Sequence, residues 1–127
     1  MSITAISSTK APAAIGPYSQ AVQAGGLLFS SGQLPIDPAT GQMVAGPIGE
    51  RARCCLLNLS AIAEAAGSAL GNAVKVTVFL TDMADFAAVN EVYREIFAAP
   101  YPARSAVAVA ALPLGSNIEI EAVFALA

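Results

Sequence analysis

The sequence contains no histidine and only two cysteines, and these absences limit the chemistry available to it. Without histidine, Ser-His-Asp and Cys-His nucleophiles and His-ligated metal sites are excluded. Cys54 and Cys55 are adjacent, so they do not have the Cys-x-x-Cys spacing, and the chain has no other cysteine that could join them in binding a metal ion. We expect both to be structural thiols, and we expect no metal site. Any reaction must then use arginine, carboxylates, hydroxyls, backbone groups and water.

Charged side chains are also scarce. They make up 12% of the 127 residues, whereas apolar types make up 56%; ordinary globular domains are about 25% charged. These charged residues are too few to cover the surface of a monomer. We therefore expect part of the surface to be buried in an oligomer. The net charge is -3 and the six basic residues are dispersed, so we expect no nucleic acid partner.

Long apolar runs and a secretory leader are missing as well. The longest apolar stretch spans only the nine residues 106–114 and contains Pro113, whereas a membrane-spanning helix needs about 20 residues. The N-terminus lacks the basic start and apolar core of a signal peptide. We therefore expect a cytoplasmic protein with no membrane partner. The length is typical of one domain, which we place over residues 1–127.

The hydrophobic pattern predicts two helices. Apolar residues recur with a helical period over residues 48–66, and Gly67 ends the pattern. A second helical pattern starts near Phe86 and runs until Pro100 interrupts it. Asp82 precedes this segment and is placed to cap it.

The remaining regular segments read as strands. They are a weak one within residues 2–7, a hairpin of 18–24 and 27–32 around a Gly-Gly turn, and the segments 74–80, 104–111 and 117–125. The order β-β-β-α-β-α-β-β predicts an α+β fold in which both helices pack on one face of the sheet. Because two helices are too few to cover both faces, the other face needs a partner.

Three charged residues in the C-terminal third suggest a site. Arg104 follows two prolines and opens an apolar strand, where its guanidinium presents a planar fork to a carboxylate or phosphate. The alternative is a structural ion pair with Glu119 or Glu121. These glutamates share one face of their strand because side chains alternate with period two. Either one of them holds or deprotonates a water, or both lie on a solvated face.

Three further positions have both a functional and a structural interpretation. Tyr18 and Gly32 stand at the ends of the hairpin strands, where a phenol and backbone N–H groups can face a cleft. The alternatives are a core tyrosine and a β-bulge. Asn90 lies on the apolar face of the second helix, so its amide either bonds to backbone or faces a pocket.

Six motifs, which appear in this order over nearly the whole chain, resemble those of the RidA (YjgF) family. They are 11–22 (APAAIGPYSQAV), 31–35 (SGQLP), 74–80 (VKVTVFL), 85–90 (DFAAVN), 102–105 (PARS) and 118–122 (IEIEA). The resemblance implies a chorismate-mutase-like α+β fold with a mixed sheet and two helices on one face. It also implies a homotrimer with an inner barrel and clefts between subunits.

The resemblance also implies roles for particular residues. Arg104 matches the arginine that grips the substrate carboxylate, and Glu121 matches the glutamate that positions the hydrolytic water. The matching cleft residues are Tyr18, Gly32, Phe86 and Asn90. One departure is Ala106, which stands where some members have cysteine, so a reactive thiol is excluded from this position.

The function that the resemblance implies is that of a 2-iminobutanoate/2-iminopropanoate deaminase. Such an enzyme hydrolyses reactive enamine and imine intermediates to 2-keto acids and ammonia without a cofactor. One alternative is a pathway-specific enamine deaminase of the same family, of the aminoacrylate peracid or aminomuconate type. Another is a non-enzymatic holdase chaperone or metabolite-binding protein. The ribonuclease activity known for some members is disfavoured, because the chain has no basic patch.

Overall fold

A single six-stranded mixed sheet runs through the computed structural model, which describes residues 2–126. Its strands are β1 (Thr4–Ile6), β2 (Ala21–Ala24), β3 (Leu27–Ser30), β4 (Ala73–Leu80), β5 (Ala103–Ala108) and β6 (Ile118–Ala125), in the spatial order β1-β2-β3-β6-β4-β5. Only β4 and β5 pair in parallel within this sheet. The helices are α1 (Ile48–Ala65) and α2 (Phe86–Ile96). The predicted element order and the α+β class are confirmed.

Several strands are shorter in the structure than predicted. The hairpin strands start at Ala21 and end at Ser30. The first one starts late because Pro17 lies in a turn in which the Tyr18 N–H donates to the Gly16 carbonyl at 2.8 Å. The last residues before Ala21 and after Ser30 are therefore loops that flank the sheet. The Gly-Gly turn is confirmed: the two glycines have φ values of 60° and 79°, as a two-residue hairpin turn of positive φ requires.

Helix α1 supplies one side of the core. Its buried residues recur with helical spacing and face the sheet: Ala52, Cys55, Leu56, Asn58, Leu59, Ile62 and Ala63. The helix ends at Ala65, and Gly67 just after it has a φ of 77°. There the Gly67 N–H donates to the Glu64 carbonyl and the Ser68 N–H donates to the Ala63 carbonyl. Over residues 2–126, no helix is both long and apolar enough to cross a membrane.

The two faces of the sheet differ because β4 and β6 alternate. On one face, Ile118, Ile120 and Phe124 are fully buried beneath the helices. On the other, which we call the open face, Glu119 and Glu121 are only half-buried. Apolar side chains from other strands also lie on the open face and are exposed: Phe29 to 44% and Val107 to 41%. Both helices thus pack on one face, as predicted.

The segment before β2 is held against the sheet by one side chain. Gln20 is 5% exposed, and its amide Nε2 donates to the carbonyls of Ser8 at 3.1 Å and Pro12 at 2.7 Å. Its Oε1 accepts from the Ser8 N–H at 2.6 Å. This single amide therefore fixes the loop that leads into Tyr18, which lines a cavity described below.

Candidate active site

Arg104 is held in place by α2 at the start of β5. Its Nη1 donates to Oδ1 of Asn90 at 2.7 Å. Its Cζ lies 4.7 Å from the ring centroid of Tyr93 and 5.3 Å from that of Phe86. Aromatic faces stabilise a guanidinium while leaving the N–H groups at its edge available. The structure thus brings together Arg104, Asn90 and Phe86, which we predicted as site residues.

Arg104 lines a cavity of about 350 Å³. The residues that line this cavity, which we call the arginine cavity, are Asn90, Tyr93, Arg94, Tyr101, Pro102 and Arg104. Within residues 2–126, the ion pair present is Arg53–Glu95 at 2.6 Å on the surface, and no carboxylate lies within 4 Å of Arg104. The alternative interpretation of Arg104 as half of an internal ion pair is therefore wrong for this chain.

A second cavity, of about 320 Å³, contains two of the other predicted site residues, Tyr18 and Gly32, but not Glu121. Tyr18, Gly32 and Glu119 line it, so we call it the glutamate cavity. Its walls are otherwise mainly apolar and come from the loop at 12–15, the segment 31–36 and Pro113. Tyr18 is 46% exposed, and its hydroxyl accepts the Ile15 N–H at 3.2 Å. Tyr18 therefore lies at the mouth of the cavity rather than in the core.

Gly32 makes room for the carboxylate in the glutamate cavity. A Cβ atom built at position 32 would lie 2.7 Å from Cδ of Glu119, well inside van der Waals contact. The lack of a side chain therefore lets Glu119 approach the backbone of Gly32 closely. The close approach explains why the SGQ segment has glycine where it crosses the end of β6.

The structure distinguishes the two glutamates of β6. Burial raises the pKa of Glu119 above its ordinary value, and the neighbouring Glu121 carboxylate raises it further. Glu121, to which the resemblance assigned the water, lies two residues further along the open face, opposite Thr77. Of the two, it is Glu119 that lines the glutamate cavity with Tyr18 and Gly32.

Arg104 and the glutamates lie on opposite faces of the sheet. Arg104 aligns with Val76, which is fully buried beneath the helices. Glu121 aligns with Thr77 on the open face, and Glu119 lies two residues away on that same face. The structure therefore divides the candidate residues between two places within one chain: Arg104 and Asn90 line the arginine cavity, and Tyr18, Gly32 and Glu119 line the glutamate cavity. The predicted residues Phe86 and Glu121 line neither cavity.

Two aromatic residues at the arginine cavity were not predicted to have a role. Tyr93 lies three residues after Asn90, on the same side of a helix, and this spacing was the available signal. Tyr101 lies between two prolines, and its place at the cavity follows from the path of that loop. Sequence patterns indicate helix faces better than loop paths.

Comparison with known proteins gives a consistent family. The sequence profile of the family described as Endoribonuclease L-PSP matches residues 8–126. The chain belongs to this family, which is the RidA (YjgF) family. It is 56% identical over 124 residues to the RutC family protein y4sK of Sinorhizobium fredii, with 98% of each chain covered.

Two further RidA-family relatives are informative. The mouse (Mus musculus) protein named 2-iminobutanoate/2-iminopropanoate deaminase is 55% identical over 118 residues, which cover 93% of this chain and 87% of the relative. The crystal structure of RidA from a Psychrobacter species matches with a TM-score of 0.93 and 47% identity, covering 97% of this chain and 99% of the other. The predicted RidA fold is therefore confirmed.

The raised pKa of Glu119 predicts a particular dependence of stability on pH. Because this pKa is higher in the folded than in the unfolded chain, the folded chain binds more protons between the two values, and its stability falls as pH rises through them. Glu119→Gln removes this penalty. We expect a higher melting temperature than wild type near pH 7, and a gain that disappears as pH falls below about 4, near the ordinary glutamate pKa.

Thermal melts across this pH range test the expectation. Glu91→Gln, at an exposed position on α2, is the matched control and should show no such pH-dependent gain. A Glu119→Gln variant that is less stable than wild type at neutral pH would show that the carboxylate is favourably paired in the folded protein.

Proposed function

We propose that this protein hydrolyses small 2-imino acids, of the 2-iminobutanoate and 2-iminopropanoate kind, to 2-keto acids and ammonium. The observation that carries the proposal is the environment of Arg104. Its guanidinium is partly buried and held by Asn90 and two aromatic rings, and no carboxylate of residues 2–126 lies within 4 Å. Such a group is preorganised for an external carboxylate. The name of the mouse relative supports the same substrate class.

We further propose that the site forms between subunits of a homotrimer. Arg104 and Glu119 lie on opposite faces of one chain, so a substrate can contact both only if a second copy supplies one of them. The open face favours association, because exposed apolar residues such as Phe29 and Val107 lie on it. In such a trimer, each cleft takes Arg104 from one subunit and Tyr18, Gly32 and Glu119 from its neighbour.

The chemistry then needs few groups. Arg104 binds the substrate carboxylate, which orients the protonated imine carbon toward a water held by Glu119. Glu119 removes a proton from this water as its oxygen bonds to C2, and the C=N electron pair moves to nitrogen. Glu119 then gives this proton to the nitrogen. As the C–N bond breaks and ammonia leaves, Glu119 takes the proton of the C2 hydroxyl, whose oxygen becomes the keto oxygen, and passes it to the ammonia. Water and the iminium thus give the keto acid and ammonium.

The raised pKa of Glu119 suits this role. A carboxylate whose pKa lies nearer the working pH both accepts and returns a proton more readily than an ordinary glutamate. Asn90 and Phe86 act through Arg104, as positioning residues. Gly32 admits the carboxylate, and Tyr18 stands at the mouth of the cavity. The reaction as proposed involves only the chain's own residues and water. We propose that the protein acts in the cytoplasm.

Replacement of Arg104 should abolish most of the activity. The Arg104→Ala variant leaves the substrate carboxylate unpaired in the cleft, which costs about 2–5 kcal/mol, so kcat/KM should fall by roughly 30-fold or more. In the measurement, a serine/threonine dehydratase generates 2-iminopropanoate in the presence of the purified protein. Semicarbazide traps the imine that remains, so the amount of semicarbazone reports how fast the protein consumes 2-iminopropanoate. Arg53→Ala, which removes a cation from a surface ion pair, is the control. Equal rates for Arg104→Ala and wild type would contradict the proposal.

The two glutamates should differ in the same assay. Glu119→Gln removes the proposed general base and should lower kcat by about 10²- to 10⁴-fold, the usual worth of such a group. Glu121→Gln should keep most of the activity and shift the acid limb of the pH profile downward, because it removes a charge that raises the Glu119 pKa. The opposite ranking would assign the water to Glu121.

Mixed trimers test the shared site directly. If Arg104 and Glu119 meet only across subunits, co-expressed Arg104→Ala and Glu119→Gln chains should regain activity that neither homotrimer has. Random mixing places both intact groups in about a quarter of the clefts, so about a quarter of wild-type activity is expected. A mixture as inactive as its parents, despite confirmed mixed assembly, would show that the groups do not act across an interface.

A further inference from the structure

Tyr93 has a buried hydroxyl that no part of the described chain satisfies. The residue is 5% exposed, and its Oη atom forms no hydrogen bond with any group of residues 2–126. Buried hydroxyls nearly always have a partner, because an unpaired one destabilises the fold. A phenylalanine would fill this position without that penalty. The hydroxyl therefore needs an explanation beyond packing.

The surroundings of Tyr93 indicate what kind of partner the hydroxyl serves. The side chain lines the arginine cavity, and its ring lies 4.7 Å from Cζ of Arg104. Two further aromatic rings lie near it: the ring centroids of Phe97 and Tyr101 are 4.5 Å and 6.5 Å away. Two other side-chain atoms of residues 2–126 are buried without a partner, in Arg51 and Asn117, and neither residue lines this cavity.

The phenol is suited to donate a hydrogen bond. Burial raises the pKa of Tyr93, an effect that the nearby Arg104 cation opposes, so the hydroxyl stays protonated at neutral pH. A protonated phenol beside a guanidinium presents a second donor to an anion that the guanidinium attracts. Hydrogen bonds to a charged acceptor are the stronger kind.

We propose that the Tyr93 hydroxyl donates to the carboxylate that Arg104 binds, so that a guanidinium and a phenol hold the substrate's anionic end together. The proposal rests on the function proposed above for the identity of the substrate. Its physical content is narrower: the arginine cavity binds small 2-oxo or 2-imino carboxylates through two donors. Tyr93 is then a substrate-binding residue, and its role in packing is carried by the ring alone.

Tyr93→Phe isolates the hydroxyl, because it keeps the ring beneath Arg104. Loss of a hydrogen bond to a charged group should raise KM for 2-iminopropanoate, and the dissociation constant for the product analogue 2-oxobutanoate, by about tenfold to a hundredfold. The change in kcat should be much smaller, because the contact is made in the ground state and the transition state alike. The ligand-free melting temperature should not fall, since phenylalanine leaves no unpaired atom.

Tyr101→Phe provides the comparison. This residue lines the same cavity but is 51% exposed, so solvent can reach its side chain, and removal of its hydroxyl should change KM and the dissociation constant less. A structural role for the Tyr93 hydroxyl predicts the reverse pattern, in which Tyr93→Phe lowers the melting temperature and leaves binding of 2-oxobutanoate unchanged. That result would overturn the proposal.

The binding and kinetic measurements separate this proposal from the proposed function. If wild type hydrolyses no imino acid but binds 2-oxobutanoate by titration calorimetry, and Tyr93→Phe weakens that binding, the deaminase assignment fails and the Tyr93 contact is supported. If wild type is an active deaminase and Tyr93→Phe matches it in KM and in binding, the Tyr93 proposal alone fails. If wild type does not bind 2-oxobutanoate at all, the proposed carboxylate contact is refuted.

Discussion

The alternation of side chains along β6 is the constraint on which the rest of this structure depends. In the run IEIEA, the isoleucines enter the core beneath the helices and the glutamates are directed to the open face. A slip of one residue in register would bury both carboxylates and expose the isoleucines. The hydrophobic burial that pairs β6 with β4 and β3 thus also fixes where acid chemistry is available. Stability and site placement have the same cause.

Arg104 is subject to the complementary constraint. It stands on the edge strand β5 with its side chain on the helix side of the sheet, so its charge must be tolerated beside apolar groups. Within residues 2–126, an amide and two aromatic faces hold Arg104 without a carboxylate, which would neutralise the cation and block an anionic ligand. A chain that separates its cation from its acids in this way keeps both reactive toward a third molecule.

The shortage of charge and the lack of histidine are consistent with this arrangement. Glu119 gains a raised pKa from partial burial and from its neighbour Glu121, which suits the proton-transfer role that we propose for it and that histidine has in many enzymes. Its cavity depends on Gly32 for space and on the loop that Gln20 holds in place. A site with so few polar side chains requires that its surroundings hold each of them in place.

The sequence by itself determined the element order, the α+β class and the one-sided packing of α1 and α2, because hydrophobic periods report directly which face of each element is buried. It also indicated that Arg104, Asn90 and Phe86 are candidate site residues. Only the tertiary structure distinguished Glu119 from Glu121, since a period of two gives both the same face and the choice depends on where the loop containing Gly32 crosses β6. Only the tertiary structure placed Arg104 and Glu119 on opposite faces and left the Tyr93 hydroxyl without a partner among residues 2–126, because these facts depend on strand register and on contacts between segments distant in sequence.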